Sequence, residues 1–477
     1  MIWRMIAPAA NPVEEFLNRA FARATGAESR PGNRVRLLCD GAENYPAWLE
    51  AIASARRWIH FESYIIHDDA VGRQFAEALA ARAKDGVAVR VLYDWWGSFR
   101  ILPRTYRRVM HEAGVDQRVV NPPHFGSPLA WLTRDHRKTL SVDGRIGYVS
   151  GLCVGEAWVG EKAWRDTGVE IEGPAVADIE RAFADLWDVV GEPLPDDERV
   201  PADQIPQAGA LPVRVIASAP ASAGLYRLDQ IVAAAARRTL WLTDAYFIAT
   251  SAYVQALRAA AADGVDVRLL VPGSTDVPGV RAISRAGYRP LLEAGVRVFE
   301  WNGSMLHAKT AVADGRWARV GSTNLNPTSW LGNWELDVSI ENEEFAREME
   351  EMYERDLTHS TEIVIGDHRR VCPVPPPTMR DPLQVRRGRR RSYGARRATA
   401  GAIGIGSVVG VALTARRRLG AAEARLLGGA SVLFSAIGIV AFFWPRVVAV
   451  PIAVLLIWIA LSLFARAVQI HRTASRT

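Results

Sequence analysis

The chain has 477 residues, too many for one ordinary domain and enough for two or three. A hydrophobic fraction of 49%, a formal net charge of +6 and an isoelectric point near 9.4 point to anionic partners, either membrane surfaces or nucleic acid, and to part of the chain lying in lipid. Cys39, Cys153 and Cys372 are scattered and form no Cys-x-x-Cys pair, which argues against a disulfide framework or a cysteine zinc site.

The opening MIWRMIAPAANP lacks the apolar run of a signal peptide, so the body of the protein is expected in the cytoplasm. An N-terminal segment, 1–32, precedes a first α/β unit at 33–190. In it, ARRWIHFESYIIHDD and the alanine-rich AEALAARAKDGVAVRVLYDWWGS read as strand, helix, strand, with Asp-Gly ending the helix. The proline- and acid-rich stretch 191–212 reads as a linker. A second unit follows at 213–366. Its ARRTLWLTDAYFIAT and VQALRAAAADGVDVRLLVPGSTD repeat the same plan, which predicts a duplicated domain.

A basic linker, 367–397, leads to a different tail at 398–477. Uncharged stretches run Ala398–Ala415, Leu426–Trp444 and Val447–Ala465, and the last two have the length of bilayer spans. A two-span helical hairpin puts the Arg386–Arg397 cluster, Arg416–Arg418, Arg425, Arg466, Arg472 and Arg476 on one side and only Arg446 on the other. The positive-inside rule makes the arginine-rich side cytoplasmic. Three spans, using the glycine-rich first stretch, are the alternative.

DHRKTLSVDG at 135–144 and LHAKTAVADG at 306–315 carry one pattern, His-x-Lys followed by Asp-Gly, once in each unit. Along a strand, residues i and i+2 share a face, so His136 lies with Lys138 and His307 with Lys309. Asp143 and Asp314 fall at the following turns. An ammonium beside an imidazole suits a phosphate: one neutralises oxygen charge while the other does chemistry. Two copies related by a pseudo-twofold axis supply one histidine to attack and one to protonate the leaving oxygen, with no metal or other cofactor.

His136/Lys138/Asp143 and His307/Lys309/Asp314 resemble the signature of the phospholipase D superfamily, and GSTNLNP, with Gly321, Ser322 and Asn324, is similar to its Gly-Ser-x-Asn element. FESYIIHDDAVG, VLYDWWGS, WRDTGVEIEGPAV, LLEAGVRVFEW and GNWELDVSI resemble the bacterial cardiolipin synthases of that superfamily, over roughly residues 33–360. The resemblance implies two pseudo-symmetric halves, each a mixed sheet flanked by helices, sharing one active site. It implies a phosphohistidine intermediate, and phosphatidylglycerol as donor and acceptor with release of glycerol. It also implies a carboxylate that orients each histidine from about thirty residues further along, places held by Asp166 and Glu335.

Two departures stand out. The first copy reads Ser150-Gly151-Leu152-Cys153, with Cys153 where asparagine is usual; it is expected to be a small buried filler. The apolar hairpin is C-terminal, whereas many relatives carry N-terminal membrane helices. His60, His67, His111, His124, His359, His368 and His471 show no metal-ligand spacing and read as surface or packing residues. The leading expectation is a monomeric, multi-pass membrane phosphatidyltransferase with its catalytic body on the cytoplasmic side, acting on phospholipid and not nucleic acid. Hydrolysis by a phospholipase D, a nuclease-type phosphodiesterase and a non-catalytic lipid-binding scaffold are the alternatives.

Overall fold

A computed structural model describes residues 12–98, 101–102, 104–123, 132–277, 279–365 and 371–374, with scattered positions between 435 and 464. The fold is α/β, with mixed sheets flanked by helices. The first sheet comprises β1 (Ser29–Cys39), β2 (Trp58–Ser63), β3 (Ala88–Asp94), β4 (Asp116–Val120), β6 (Lys138–Val142), β7 (Ile146–Ser150) and β8 (Thr167–Glu172); the short β5 (Arg134–Asp135) lies apart from it. Strands β2, β3 and β4 run parallel, and β6, β7, β8 and β1 follow from β2 as an antiparallel series.

The second sheet comprises β9 (Leu211–Ser218), β10 (Thr239–Thr243), β11 (Asp266–Pro272), β12 (Arg297–Trp301), β13 (Thr310–Ala313), β14 (Trp317–Gly321) and β15 (Asn333–Glu341), extended by β16 (Ser360–Ile365) and β17 (Val371–Val374). Its pairings repeat the order of the first: β10, β11 and β12 parallel, then β13, β14, β15 and β9 antiparallel. Strand β1 also pairs with β9 and so ties the sheets together.

Val149, Val169 and Ile171 of the first sheet share one core with Val320, Leu336, Val338 and Ile340 of the second. Ile179 of the helix Val176–Val190 and Met349 and Tyr353 of the helix Glu343–Thr358 complete it. Each buried aliphatic chain of this kind stabilises by about 1.5–3 kcal/mol, so this core holds the sheets together. The outer faces are covered by helices such as Asp40–Ser54 and Ala70–Lys84 on the first sheet and Gly224–Ala235 and Ser251–Ala262 on the second.

Two segments carry structure that the sequence reading did not assign. A helix, Pro12–Thr25, fills part of the N-terminal segment; it packs beside the second sheet, where Phe21 meets Trp317 and the Ala24 carbonyl accepts from Arg227 Nε at 2.9 Å. The stretch 191–212, read as a linker, is pinned to the first unit. Its Glu198 pairs with Arg90 and lies 3.1 Å from His60 Nε2, while Glu180 holds His60 Nδ1 at 2.9 Å. Burial alone would lower the His60 pKa, but these two carboxylates raise it. The two apolar stretches of the expected hairpin lie outside the described residues except for scattered positions, and no helix among the described residues is long and apolar enough to cross a membrane.

Asp143 and Asp314 hold the turns at the far ends of their hairpins. Each has positive φ, 56° and 54°, followed by Gly144 and Gly315 at 66° and 65°. Two successive left-handed residues match the right-handed twist of the flanking strands, and Asp-Gly adopts them at little cost. The Asp143 carboxylate accepts from the backbone N–H groups of Arg56, Arg57 and Trp58 at 2.9, 2.7 and 3.0 Å. Asp314 accepts from those of Arg237, Arg238 and Thr239. Each aspartate therefore fixes the entry of β2 or β10. Replacing Asp143 by Ala leaves these donors without that acceptor and is expected to lower the unfolding free energy by about 1–3 kcal/mol. Urea denaturation checks it; an unchanged midpoint would mean that Gly144 alone sets the turn.

Candidate active site

Strands β6 and β13 begin at Lys138 and Thr310, so both histidines sit in the extended approach to their strands. These approaches cross over. Strand β5 runs parallel to the start of β15, and the His136 N–H donates to the Trp334 carbonyl at 2.9 Å. Symmetrically, Leu306 bridges to Arg165, and the His307 N–H donates to the Arg165 carbonyl at 2.7 Å. The residue after each acceptor is a carboxylate, Glu335 or Asp166.

That backbone register decides which carboxylate reaches which imidazole. His136 Nδ1 lies 2.9 Å from Glu335 Oε2, and His307 Nδ1 lies 2.7 Å from Asp166 Oδ2. Each histidine is thus held by the carboxylate of the opposite sheet. This corrects the expectation that each is oriented from about thirty residues further along its own unit.

Both carboxylates are fully buried and further engaged. Glu335 accepts from the Ser322 hydroxyl at 2.6 Å and from the Asn333 amide at 3.1 Å. Asp166 accepts from the Trp158 indole N–H at 3.0 Å and from the Thr167 N–H at 2.9 Å. Burial alone would raise both carboxyls, but the facing histidines and the nearby lysines hold them below their usual values. An ionised carboxylate only accepts, so Nδ1 of each imidazole carries the proton and Nε2 is the acceptor nitrogen.

Burial pushes His136 down to about 4, a shift opposed by Glu335 and reinforced by Lys138 and Lys309. His307 is lowered by burial and by Lys309, with a contribution from Lys138. Each histidine therefore feels both lysines, which places the two His-Lys pairs within electrostatic reach of one another. Lys309 is itself lowered by burial to about 8, so it stays largely charged at neutral pH. Its Nζ lies 3.0 and 3.1 Å from the two ring nitrogens of His307. Lys138 Nζ sits 5.1 Å from the centre of the Tyr64 ring, which also meets the edge of His136. Trp158, Trp164 and Tyr246 surround His307. The arrangement is a buried site in which two lysines and two ionised carboxylates surround two neutral imidazoles.

The structure brings together His136, Lys138, Glu335 and Ser322, and His307, Lys309 and Asp166. Asn324 is buried, with Oδ1 making no hydrogen bond among the described residues. A side chain on Gly321 would overlap the Asp337 carboxylate. Asp143 and Asp314, expected to be catalytic, are not brought here, because their carboxylates are spent on the backbone at the opposite ends of their hairpins. Cys153 is buried in the core under the first helix layer, its carbonyl accepting from the Tyr45 hydroxyl at 2.7 Å; burial pushes its thiol up, which disfavours the thiolate. The sequence reading missed Trp158, Asn333 and Arg137. Only Gly151, standing where the second copy has Ser322, hinted that the first carboxylate needs a different donor.

Residues 230–357 match a family described as cardiolipin synthase, PLD-like domain. The chain is 38% identical over 367 residues to cardiolipin synthase A of Pseudomonas aeruginosa strain LESB58, covering 74% of this chain and 73% of that protein. It is 36% identical over 345 residues to cardiolipin synthase A of Pseudomonas fluorescens strain SBW25, covering 69% and 70%. The crystal structure of phosphatidylserine synthase from Haemophilus influenzae Rd KW20 shares the fold, with a TM-score of 0.59 at 15% identity over 73% of this chain and 92% of that one. With its twin His-Lys motifs and this extent of identity to curated relatives, the chain belongs to the cardiolipin synthase family of the phospholipase D superfamily.

Proposed function

We propose that this protein is a phosphatidyltransferase that joins two phosphatidylglycerol molecules into cardiolipin and glycerol. One observation carries the reading: each histidine is fixed through Nδ1 by a carboxylate from the opposite sheet, beside a buried lysine. The repeated strand order supports two pseudo-symmetric halves, 33–190 and 213–366, sharing this one site.

In the first step His136 Nε2 attacks the phosphorus of one phosphatidylglycerol. The bond from phosphorus to the glycerol oxygen breaks, and His307 gives that oxygen a proton. An anionic phosphodiester next to His307 favours its protonated form, offsetting the effect of burial. Lys138 and Lys309 balance the charge on the non-bridging oxygens, and the Asn324 amide contributes a donor. In the second step His307 takes the proton from a hydroxyl of another phosphatidylglycerol, whose oxygen attacks phosphorus. The P–N bond breaks, His136 returns to neutral, and cardiolipin leaves. The buried histidines and the aromatic wall around His307 favour a lipid alcohol over water.

We also assign the tail to the membrane. The described residues Ile439, Phe442, Phe443, Trp444, Val447, Val450, Val454, Leu456, Ile457, Leu461 and Phe464 are all exposed, and all but Trp444 are helical. A bilayer is the solvent that such a surface fits. With the arginine clusters inside, it tethers the catalytic body to the cytoplasmic leaflet.

His136→Ala and His307→Ala are each expected to lower turnover by about a thousandfold or more. Mass spectrometry of cardiolipin, phosphatidic acid and glycerol formed from phosphatidylglycerol checks this; phosphatidic acid as the main product of the parent protein would favour hydrolysis instead.

A second prediction concerns protonation. A histidine with lowered pKa is neutral above that pKa, so the attacking form of His136 is complete at pH 7 and is lost only as pH falls towards about 4. An NMR titration of the His136 ring nitrogens reads this directly. A midpoint near the ordinary value of about 6.5 would contradict the proposed ground state.

Removing residues 398–477 is expected to release the protein from membranes and leave both sheets folded. Flotation with phosphatidylglycerol vesicles at high salt checks it: flotation as complete as that of the full chain would place the anchor elsewhere.

A further inference from the structure

The two histidine–carboxylate pairs are alike in the bond they share and unlike in what supports it. Behind His136, Glu335 Oε2 takes the Ser322 hydroxyl. Gly151 occupies the matching place behind His307 and has no hydroxyl. Nor is there room for one, since even a Cβ on Gly151 would overlap the Asp166 carboxylate. Yet Asp166 Oδ2, the oxygen that holds His307 Nδ1, is not left with that bond alone. The Trp158 indole N–H reaches it at 3.0 Å from the short helical turn Glu156–Trp158. Trp158 is 2% exposed, and its ring meets His307 edge-on at 5.6 Å and Trp164 at 4.9 Å. Packing thus fixes the indole in the one place from which it can both donate to the carboxylate and wall the imidazole.

We infer that Trp158 is a positioning residue for the His307–Asp166 pair, its indole N–H replacing the hydroxyl that the first half lacks. This rests on the two-histidine reading above and adds a difference between the halves. An indole only donates, whereas a hydroxyl donates and accepts. Ser322 also accepts, from the Leu336 N–H at 3.0 Å, and so is tied to the strand that carries Glu335. Asp166 is instead oriented by an aromatic cluster in direct contact with the imidazole it serves. Anything that shifts this cluster, including substrate entering against Trp164, changes the proton affinity of His307 without touching its ring nitrogens. The His307–Asp166 pair, which handles the proton, is thereby the adjustable one, and the His136–Glu335 pair is the rigid one.

The test uses the full chain in phosphatidylglycerol vesicles. Trp158→Phe keeps the ring and deletes the donor. Without that donor Asp166 becomes more basic and stabilises the imidazolium more strongly, so the pKa of His307 rises. The expected result is a kcat lower by roughly ten- to hundredfold, a KM close to the parent value, and a pH-profile limb assigned to His307 that moves to higher pH. Trp158→His, which restores a ring N–H, should recover part of both. A merely structural role predicts a lower thermal midpoint with the limb in place, and that outcome overturns the inference. So does parental kcat in Trp158→Phe.

If neither variant folds, the bond is read in the parent protein by selective indole labelling with nitrogen-15. One of the 16 tryptophan N–H resonances must then move in Asp166→Asn, and no movement overturns the inference. Activity surviving His307→Ala would instead break the underlying two-histidine reading, which keeps the two failures distinct.

Discussion

Two backbone hydrogen bonds govern the rest of the site: His136 N–H to Trp334 O, and His307 N–H to Arg165 O. Each docks the approach to one strand against the other sheet, one residue short of a buried carboxylate. Sequence spacing puts an acid near each histidine along the chain, but the register of these crossings selects the acid from the far side. The imidazoles are consequently oriented by the docking of the sheets. The burial that lowers their proton affinity and the carboxylates that set their tautomer both follow from that contact.

The docking itself is reinforced by charge in places where charge is costly. Arg137, between His136 and Lys138, is 2% exposed and donates to the carbonyls of Glu335, Ala182 and Ser218 while facing the Trp334 ring. Arg165, next to Asp166, reaches Asp356 at 2.8 Å and Asp40 at 3.1 Å. Buried ions stabilise little compared with well-packed apolar groups, but removing one partner costs about 3–5 kcal/mol. Such pairs therefore penalise misdocking more than they reward docking. That property suits residues flanking carboxylates whose position sets the chemistry.

Much of this was legible beforehand because it depends on local pattern. Short apolar runs rich in β-branched and aromatic residues marked β2, β3, β10 and β11, and Asp-Gly marked the turns after β6 and β13. Two copies of one motif identified all four residues of the His-Lys pairs. What could not be read was set by contacts between distant segments. The pairing of Asp166 with His307 and of Glu335 with His136 needs the relative placement of the sheets, which leaves no trace in spacing. The part played by Asp143 and Asp314 depends on where three backbone amides from another segment arrive. The stretch 191–212 read only as a linker because Glu198 finds Arg90 and His60 only after folding.

The crossed pairing has a consequence for the life of the chain before it is finished. His136 and the carboxylate that orients it are 199 residues apart, and the carboxylate comes later. A ribosome that has released the whole first sheet has made a histidine, a lysine and their strand, but nothing that sets the tautomer of that histidine. The orientation of His136 is completed only when β15 emerges and docks, late in synthesis. A truncated product ending anywhere before Glu335 lacks the partner of His136 and leaves Asp166 facing a sheet that has not closed. An incomplete chain of that kind carries His136 without the carboxylate that fixes its ring.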